Sequence, residues 1–257
     1  MGNDWIIGVD EAGRGPVIGP LLVAALAIPA EDVDILSKLN VKDSKDIQPK
    51  KRLHIFEEIG ERIEEGVWKS GLIRCSAKRI DLNSLNSDLN SLEVELFSEA
   101  IVATDLSNDS GFIRADACDV NEGRFRKRLE ASLGDDWVNW RVEAKHCMDS
   151  IDIVTGGASI LAKVSRDSAI EEIAARTGLQ IGSGYPSDKT TRVAVKKCSQ
   201  MVNHMTHLDG LGQLYLIFGK GCMELLFLFV LIRVERLYNL HLMTGKGDKR
   251  QKSDFGP

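Results

Sequence analysis

The sequence predicts an α/β fold in which a mixed sheet is flanked by helices. Two near-continuous apolar runs, Trp5 to Val9 and Leu21 to Ile28, are typical of strands that are buried in a sheet. Further short apolar runs then alternate with segments of helical periodicity, as they do in α/β proteins. A third observation, the adjacent acids Asp10 and Glu11 after the first run, puts charged groups where such sheets usually hold their chemistry.

Composition narrows the class of protein. The chain has 257 residues and a net charge of −5, which disfavours a nucleic-acid partner unless a local basic groove exists. Its five cysteines show no CxxC spacing, which argues against a disulfide framework or a zinc site and favours a reducing, cytoplasmic location. The most apolar run, Leu225 to Ile232, is too short to span a bilayer. We therefore expect no membrane segment, and we expect a monomer.

The order of the predicted elements supports this fold. After the first two strands we predict strands at 67–77, 111–120 and 137–145, and helices at 43–66, 89–103, 124–133 and 156–178. In the first of these helices one face is expected to be buried, because four apolar residues recur on it at helical spacing: Leu53, Phe56, Ile59 and Ile63.

Changes in amino-acid composition along the chain predict three regions. A soft boundary near residue 198 ends a main domain at 1–198. A helical C-terminal portion follows at 199–244, and the polar, basic tail at 245–257 is expected to be disordered.

Two further acids extend the pair after the first strand. Asp116 ends the strand in "GFIRADACDV", and Asp149 precedes the long helix. If these strands are neighbours, three or four carboxylates converge, and such an all-oxygen site suits Mg²⁺ or Mn²⁺. Two such ions could clamp the attacking and leaving oxygens of a phosphodiester hydrolysis. A pair of acids at a strand end is also common in a plain solvated turn, and that interpretation stays open at this point.

The adjacency of the two acids creates a geometric difficulty. Neighbouring residues on a regular strand point to opposite faces, which would separate Asp10 from Glu11. We therefore expect the strand to have bent before Glu11, and the turn at Gly13, Arg14 and Gly15 is compatible with such a bend. Like charges this close also repel each other, so a basic side chain, a proton or a metal ion must neutralise them.

Five sequence blocks carry a family resemblance. "GVDEAGRGPVIGPLLVAA" closely resembles the N-terminal signature of ribonuclease HII, the type 2 ribonuclease H family. In the family's order, its later blocks are similar to "VKDSKDI", "DACDVN", "ASILAKVSRD" and "GSGYPSD". The resemblance implies a ribonuclease H-like domain with a small helical C-terminal portion. It also implies an endonuclease that uses Mg²⁺ or Mn²⁺ to cut the RNA strand of RNA/DNA hybrids and lone ribonucleotides in duplex DNA.

The same resemblance implies roles for the acids. Asp10 and Glu11 match the family's paired acids, and Asp116 matches the first Asp of its third block. Asp149 stands where the family's fourth acid sits. The family has an aromatic–proline pair shortly after that acid, which this chain lacks, so Asp152 remains a rival ligand.

Two substrate-reading features follow from the resemblance. Gly13, Arg14 and Gly15 match the turn with which the family reads a ribose 2′-OH, and glycines let a backbone come close to a sugar. Tyr185 matches the family's junction-sensing tyrosine. A plain turn and a core-packed aromatic ring are the ordinary alternatives.

Several basic residues are candidates for contact with the phosphate backbone. Lys45 and Lys163 lie inside motif blocks and are expected to bind substrate. Lys42, Lys145 and Arg166 could line the same groove, although charged residues of this kind are usually solvated surface groups.

The resemblance weakens after the "GYPSD" loop. The family continues with a helix, which 193–205 can supply, and then with a tryptophan-containing segment that the sequence lacks. Residues 208–244 are dense in Leu, Ile and Phe, so they are either a divergent docking helix or an aberrant segment. Some archaeal members end with a peptide for the sliding clamp, and "KRQKSDFGP" shares with it a Gln and a Phe.

Two alternatives to ribonuclease HII are compatible with parts of the sequence. Ribonuclease HIII carries an added N-terminal substrate-binding domain, and we expect no room for it before a signature that begins near Trp5. A nucleic-acid-binding protein of the same fold without catalysis is the second alternative, and the complete set of acids disfavours it.

Overall fold

The computed structural model describes residues 4–41 and 47–206, and a five-stranded sheet lies within them. Its strands in chain order are β1 Trp5–Ala12, β2 Leu21–Pro29, β3 Lys69–Cys75, β4 Gly111–Asp116 and β5 Trp140–Lys145. Their spatial order is β3-β2-β1-β4-β5. β1, β4 and β5 run parallel, whereas β2 pairs antiparallel with both β1 and β3. The sheet is therefore mixed, as predicted.

Helices cover both faces of the sheet. They are α1 Val33–Lys38, α2 Pro49–Glu64, α3 Ala77–Asn83, α4 Leu89–Val102, α5 Glu122–Leu133, α6 Met148–Ile151, α7 Ile153–Thr177 and α8 Lys189–Thr206. α1, α2 and α7 share one apolar core with Ile6 of β1, and α4 and α5 share another with Ile7. Because successive strand residues face opposite sides, these two cores flank the sheet. The predicted α/β class is confirmed.

The differences from the predicted elements are local. α1 and α3 have six and seven residues, too few to give a periodic signal, and neither was predicted. In α2, Leu53 was expected to be buried but is 48% exposed, and Ile55 is buried in its place. α2 begins at Pro49, a residue whose fixed φ suits the first helical position.

β1 is longer than the sequence predicted, and its extension positions the acids. The apolar run ends at Val9, but β1 continues to Ala12 because it stays paired with β2 as far as Leu22. Pairing with β4 stops earlier, at Val9 opposite Ala115. Asp10 and the residues after it therefore lie beyond the last rung shared with β4, at the carboxyl end of both parallel strands.

α7 packs directly against the centre of the sheet. A Cβ atom at Gly8 of β1 would lie 2.3 Å from the backbone nitrogen of Thr155, so only glycine permits this approach. Asp152 caps the start of α7 by accepting a hydrogen bond from Thr155 N, and Gly178 ends the helix with a positive φ of 67°. The first half of α7 is thereby fixed beside β1.

The chain separates into two compact units, residues 1–191 and 192–257. The first holds the sheet, and the second is described only where α8 runs from Arg192 to Thr206. The predictions for Lys42, for Lys45 and for residues 207–257 lie outside the described residues. Within 4–41 and 47–206, we find no helix that is both long and apolar enough to cross a membrane.

Candidate active site

Three carboxylates meet where β1 and β4 end. Oxygen atoms of Asp10, Glu11 and Asp116 all lie within 4.8 Å of one another. Asp10 is buried, and burial raises its pKa well above the ordinary value, with further increases from the charges of Glu11 and Asp116. Asp10 also accepts hydrogen bonds from the backbone nitrogen of Glu11 at 2.7 Å and from Ser159 of α7. The arrangement holds like charges close together in a fixed geometry.

The structure explains how adjacent residues contribute to one cluster. The side chain of Asp10 meets Ser159 of α7, whereas Glu11 accepts a hydrogen bond from the Cys118 thiol at 3.3 Å, in the loop after β4. The side chains of the two acids thus start from opposite faces of β1. Their carboxylates can still approach each other, because β1 is no longer paired with β4 at these residues. The expected bend before Glu11 is wrong, because β1 remains a strand through Ala12.

This cluster fits a divalent cation. All of its donors are carboxylate oxygens, which suit Mg²⁺ or Mn²⁺, and a cation would remove the repulsion that disfavours ionised Asp10. Asp116 is oriented by the backbone nitrogen of Met148, which donates to its Oδ1 at 3.0 Å. Asp10, Glu11 and Asp116 are therefore the described residues that could hold the metal together.

Asp149 and Asp152 differ in their surroundings. Asp149 lies on α6, is 3% exposed and accepts a hydrogen bond from Ser150 Oγ at 3.4 Å, but it is not a member of the three-carboxylate group. Asp152 is bound twice, by Thr155 of the α7 cap at 2.9 Å and by Arg114 of β4 in a short ion pair. The carboxylate of Asp152 is thereby used to fasten α7 to β4.

The turn after β1 is held by its arginine side chain. Arg14 donates from Nη1 to the Cys118 carbonyl at 2.7 Å and from Nη2 to Asn90 Oδ1 at 2.8 Å. Its Nε lies 3.0 Å from Oε1 of Glu93. Gly13 has a φ of +106°, a conformation that side chains rarely adopt. The guanidinium therefore contacts three protein acceptors, and the turn is fastened to α4 and to the loop after β4.

Glu93 was missed by the sequence analysis. It lies on α4 with its side chain fully buried, and burial raises its pKa to about 8 although Arg14 opposes that shift. It stands in a helix of ordinary composition, so no local pattern distinguishes it. Its contact with Arg14 depends on how α4 packs against the sheet.

The remaining predicted substrate residues lie at different depths. Tyr185 is partly exposed, and its ring centroid is 4.7 Å from the Arg166 guanidinium carbon. Lys163 is 41% exposed and lies 3.9 Å from Asp167. Arg166 itself is only 2% exposed, which is inconsistent with its expected place in a solvent-facing phosphate groove.

Asp119, close to Asp116 in sequence, has a different role from the cluster. It is buried and accepts hydrogen bonds from Arg124 Nε at 2.7 Å and from Asn121 N at 3.1 Å. Arg124 lowers the pKa of Asp119 to about 2. This acid fastens the loop after β4 to the start of α5.

Solved structures place this fold in a known class. The ribonuclease HII of the PCNA:RNase HII complex from Archaeoglobus fulgidus aligns with a TM-score of 0.66 and 34% identity, over 77% of this chain and 89% of that chain. The ribonuclease H2 from Pyrococcus horikoshii gives 0.64 and 32%, over 79% and 90%. The fold and the carboxylate cluster therefore define a ribonuclease H-like, metal-dependent endonuclease.

Sequence comparison identifies the family within this class. The model of the ribonuclease HII family matches residues 7–208. The ribonuclease HII of Thermococcus kodakarensis is 42% identical over 187 residues, which are 73% of this chain and 77% of that protein. The chain belongs to the ribonuclease HII family.

Proposed function

We propose that this chain hydrolyses the RNA strand of RNA/DNA hybrids and cuts on the 5′ side of ribonucleotides embedded in duplex DNA. The observation that carries the proposal is the continuity of the carboxylate cluster with the turn at Gly13–Gly15. Because the turn starts two residues after Glu11, we infer that a sugar bound by the turn would lie next to the phosphate that is hydrolysed at the cluster. An RNA-specific 2′-OH is the group that such a turn can distinguish.

The proposed metal site contains Asp10, Glu11 and Asp116, with Asp149 as the fourth acid. Asp149 is preferred to Asp152 because Asp152 is already bound by Arg114 and by the cap of α7. When bound, two Mg²⁺ or Mn²⁺ ions would supply an activated water and would stabilise charge at the scissile phosphate. Hydrolysis of this kind leaves a 3′-OH and a 5′-phosphate and needs no Ser or Cys nucleophile.

Other groups of the chain would position the Asp10 carboxylate and bind the substrate. Ser159 and the backbone nitrogen of Glu11 hold the Asp10 carboxylate in place. Backbone groups of the turn at Gly13–Gly15 would contact the ribose, since the Arg14 guanidinium is engaged by protein acceptors. Tyr185 would stack on the neighbouring nucleotide, and Lys163 and Lys45 would contact the phosphate backbone.

A single cleavage assay tests the proposal. Duplex DNA that holds one ribonucleotide is incubated with Mg²⁺, with Mn²⁺ or with EDTA, and an all-DNA duplex of the same sequence is the control. We expect a metal-dependent cut on the 5′ side of the ribonucleotide, with 3′-OH and 5′-phosphate ends. Products that end in 2′,3′-cyclic phosphate would contradict the mechanism. Tight binding without any cleavage would instead favour the alternative of a nucleic-acid-binding protein.

A sliding-clamp partner is a secondary proposal. The Archaeoglobus fulgidus relative was solved in complex with PCNA. In this chain, the proposal of a clamp partner depends on the Gln and the Phe that "KRQKSDFGP" shares with the clamp-binding peptide of some archaeal members. This segment lies outside the described residues. Co-elution of the full chain with a sliding clamp in gel filtration, compared with a chain ending at residue 248, tests it. Equal elution of both chains would contradict the assignment of this peptide.

A further inference from the structure

A buried arginine on α7 lies between the two loops proposed to read substrate. Arg166 is 2% exposed, and its Nη2 donates to the Ser183 carbonyl at 2.8 Å. Its guanidinium carbon stands 4.7 Å from the ring centroid of Tyr185, within the range of a cation–π contact. Arg166 therefore contacts both the backbone and the aromatic side chain of the loop at 182–188.

The other side of the same guanidinium faces the turn after β1. A Cβ atom at Gly13 would lie 3.0 Å from Arg166 Nε and 3.1 Å from its Cδ. A Cβ atom at Gly184 would lie 2.9 Å from Nη2. Both glycines have positive φ values, +106° and +81°. The planar group thus occupies a narrow space between two backbones, which a bulkier or non-planar cation would not fill in the same way.

The two loops are also bonded directly. The backbone nitrogens of Val17 and Ile18 both donate to the Gly184 carbonyl, at 2.8 and 3.2 Å. Gly15 lies next to Tyr185, since a Cβ atom there would be 3.8 Å from Cε1 of the ring. The turn at 13–18 and the loop at 182–188 therefore form one unit, and we call it the paired loops.

The energetics of Arg166 argue for a positioning role. A buried charge is costly unless it is well paired, and the acidic partner of Arg166 is Asp167 at 3.6 Å, on the exposed side of the helix. Within the described residues, Nε is buried and has no hydrogen-bond partner. A packed apolar side chain would avoid this cost but could not bind the Ser183 carbonyl and the Tyr185 ring together.

Helical spacing connects Arg166 to the cluster. Ser159, Lys163 and Arg166 are four and three residues apart on α7, so they lie along one face of the helix. That face begins at the hydrogen bond between Ser159 and Asp10 and ends under the paired loops. One rigid helix thus supports both the carboxylates and the two loops.

We propose that Arg166 is a positioning residue that fixes the distance between the turn at Gly13–Gly15 and Tyr185, and so sets the enzyme's preference for a ribonucleotide–deoxyribonucleotide junction. The proposal rests on the proposed function, because it assigns the paired loops to neighbouring nucleotides of the same substrate. Arg166 contacts no substrate in this scheme and acts through Tyr185 and Gly13. A lone ribonucleotide is cut only when the Gly13–Gly15 turn contacts its ribose and Tyr185 contacts the neighbouring deoxyribonucleotide at the same time. A long RNA/DNA hybrid has a 2′-OH on every nucleotide of the RNA strand, so its cleavage depends less on the distance between the two contacts.

The test compares kcat/KM on two substrates, a lone ribonucleotide in duplex DNA and a long RNA/DNA hybrid. In Arg166→Lys, which keeps the charge but loses the planar fork, we expect the lone-ribonucleotide value to fall by about tenfold more than the hybrid value, the size of one lost stacking contact. Arg166→Gln removes the buried charge and is too short to reach the Ser183 carbonyl that Nη2 binds, so it tests the same contacts if the Lys variant unfolds. Arg74→Lys is the control, because Arg74 of β3 forms an exposed ion pair with Glu172, which lies on α7 like Arg166.

A double-mutant cycle separates positioning from general stability. If Arg166 acts through Tyr185, adding Arg166→Lys to Tyr185→Ala changes the substrate ratio little further. Additive losses, or equal losses on both substrates in a folded Arg166 variant, would overturn the proposal. Failure of the wild-type chain to cut either substrate with Mg²⁺ or Mn²⁺ would instead refute the proposed function.

Discussion

Three of the buried acids in this fold have neighbours of opposite kinds, an arginine in two cases and other carboxylates in the third. Asp119 and Asp152 are each paired with an arginine, and Arg124 lowers the pKa of Asp119 to about 2. Asp10 is surrounded by Glu11 and Asp116, and its pKa is raised well above the ordinary value, first by burial and then by those charges. Burial alone therefore does not set the direction of the pKa shift in these two acids: Arg124 lowers the pKa of Asp119, whereas the carboxylates beside Asp10 add to the rise that burial causes.

The largest expected effect is the loss of activity in Asp10→Asn. A neutral amide weakens metal binding, so we expect cleavage to fall by at least about a hundredfold, the range seen when one transition-state-stabilising group is removed. Folding should not suffer. The raised pKa of Asp10 means that its ionisation lowers stability as pH rises above the ordinary carboxyl value, and the amide removes that penalty.

The measurement combines initial rates with thermal unfolding. Adding Mg²⁺ or Mn²⁺ should raise the Tm of the wild type, by a stabilisation of about 2.7 kcal/mol at a hundred times Kd, and this shift should shrink in Asp10→Asn. Asp34→Asn, an exposed acid in the first turn of α1, is the matched control and should leave both quantities unchanged. Near-normal cleavage by folded Asp10→Asn would contradict the assignment of Asp10 to the metal site.

An intermediate effect is expected from Asp152→Ala, now on stability rather than chemistry. The substitution removes the cap of α7 and leaves Arg114 without its carboxylate partner, so we expect a loss of about 1–3 kcal/mol in the free energy of unfolding. Urea unfolding at neutral pH measures it.

The same variant sharpens the choice of the fourth acid. The metal-induced rise in Tm should persist in Asp152→Ala and should decrease in Asp149→Asn. The reverse pattern would assign the ligand to Asp152 and would break the contrast between acids that are paired with an arginine and acids that neighbour other carboxylates.

The smallest effect concerns acid unfolding. Because Arg124 lowers the folded-state pKa of Asp119 to about 2, this carboxylate adds stability above its unfolded value of about 3.9 and loses it as pH falls between the two. In Asp119→Asn, stability should therefore decrease less steeply than in the wild type between those pH values. Thermal unfolding across this range measures the slope, and parallel curves for the two proteins would show that Arg124 does not shift this group.

Much of this arrangement follows from local sequence. Apolar runs and glycine-rich turns define β1 and β2, and parallel strands end at one edge, so the meeting of Asp10 with Asp116 was predictable. The extension of β1 to Ala12 was not, because it depends on pairing with β2 rather than on hydrophobicity. The sequence therefore predicted a bend that the sheet does not need.

Tertiary contacts decide what local patterns could not. The sequence offered Arg166 either as part of a phosphate-binding groove or as a solvated surface group, yet the side chain is buried and the paired loops cover it. Glu93 is buried under Arg14 by the packing of α4, which no residue spacing encodes. In both cases the partner lies far away in sequence.

The central place of β1 in the sheet protects its backbone hydrogen bonds from local unfolding. β1 is the middle strand, bonded to β2 on one side and β4 on the other, and α7 packs directly on its Gly8. Segments of this kind exchange their amide hydrogens only when most of the molecule opens, whereas strand edges and loops open earlier. Asp10 and Glu11, which repel each other, are thus carried by the central strand of the sheet, and Asp116 ends the neighbouring β4. Because the first two carboxylates stand on this one strand, their relative position is fixed by the fold itself.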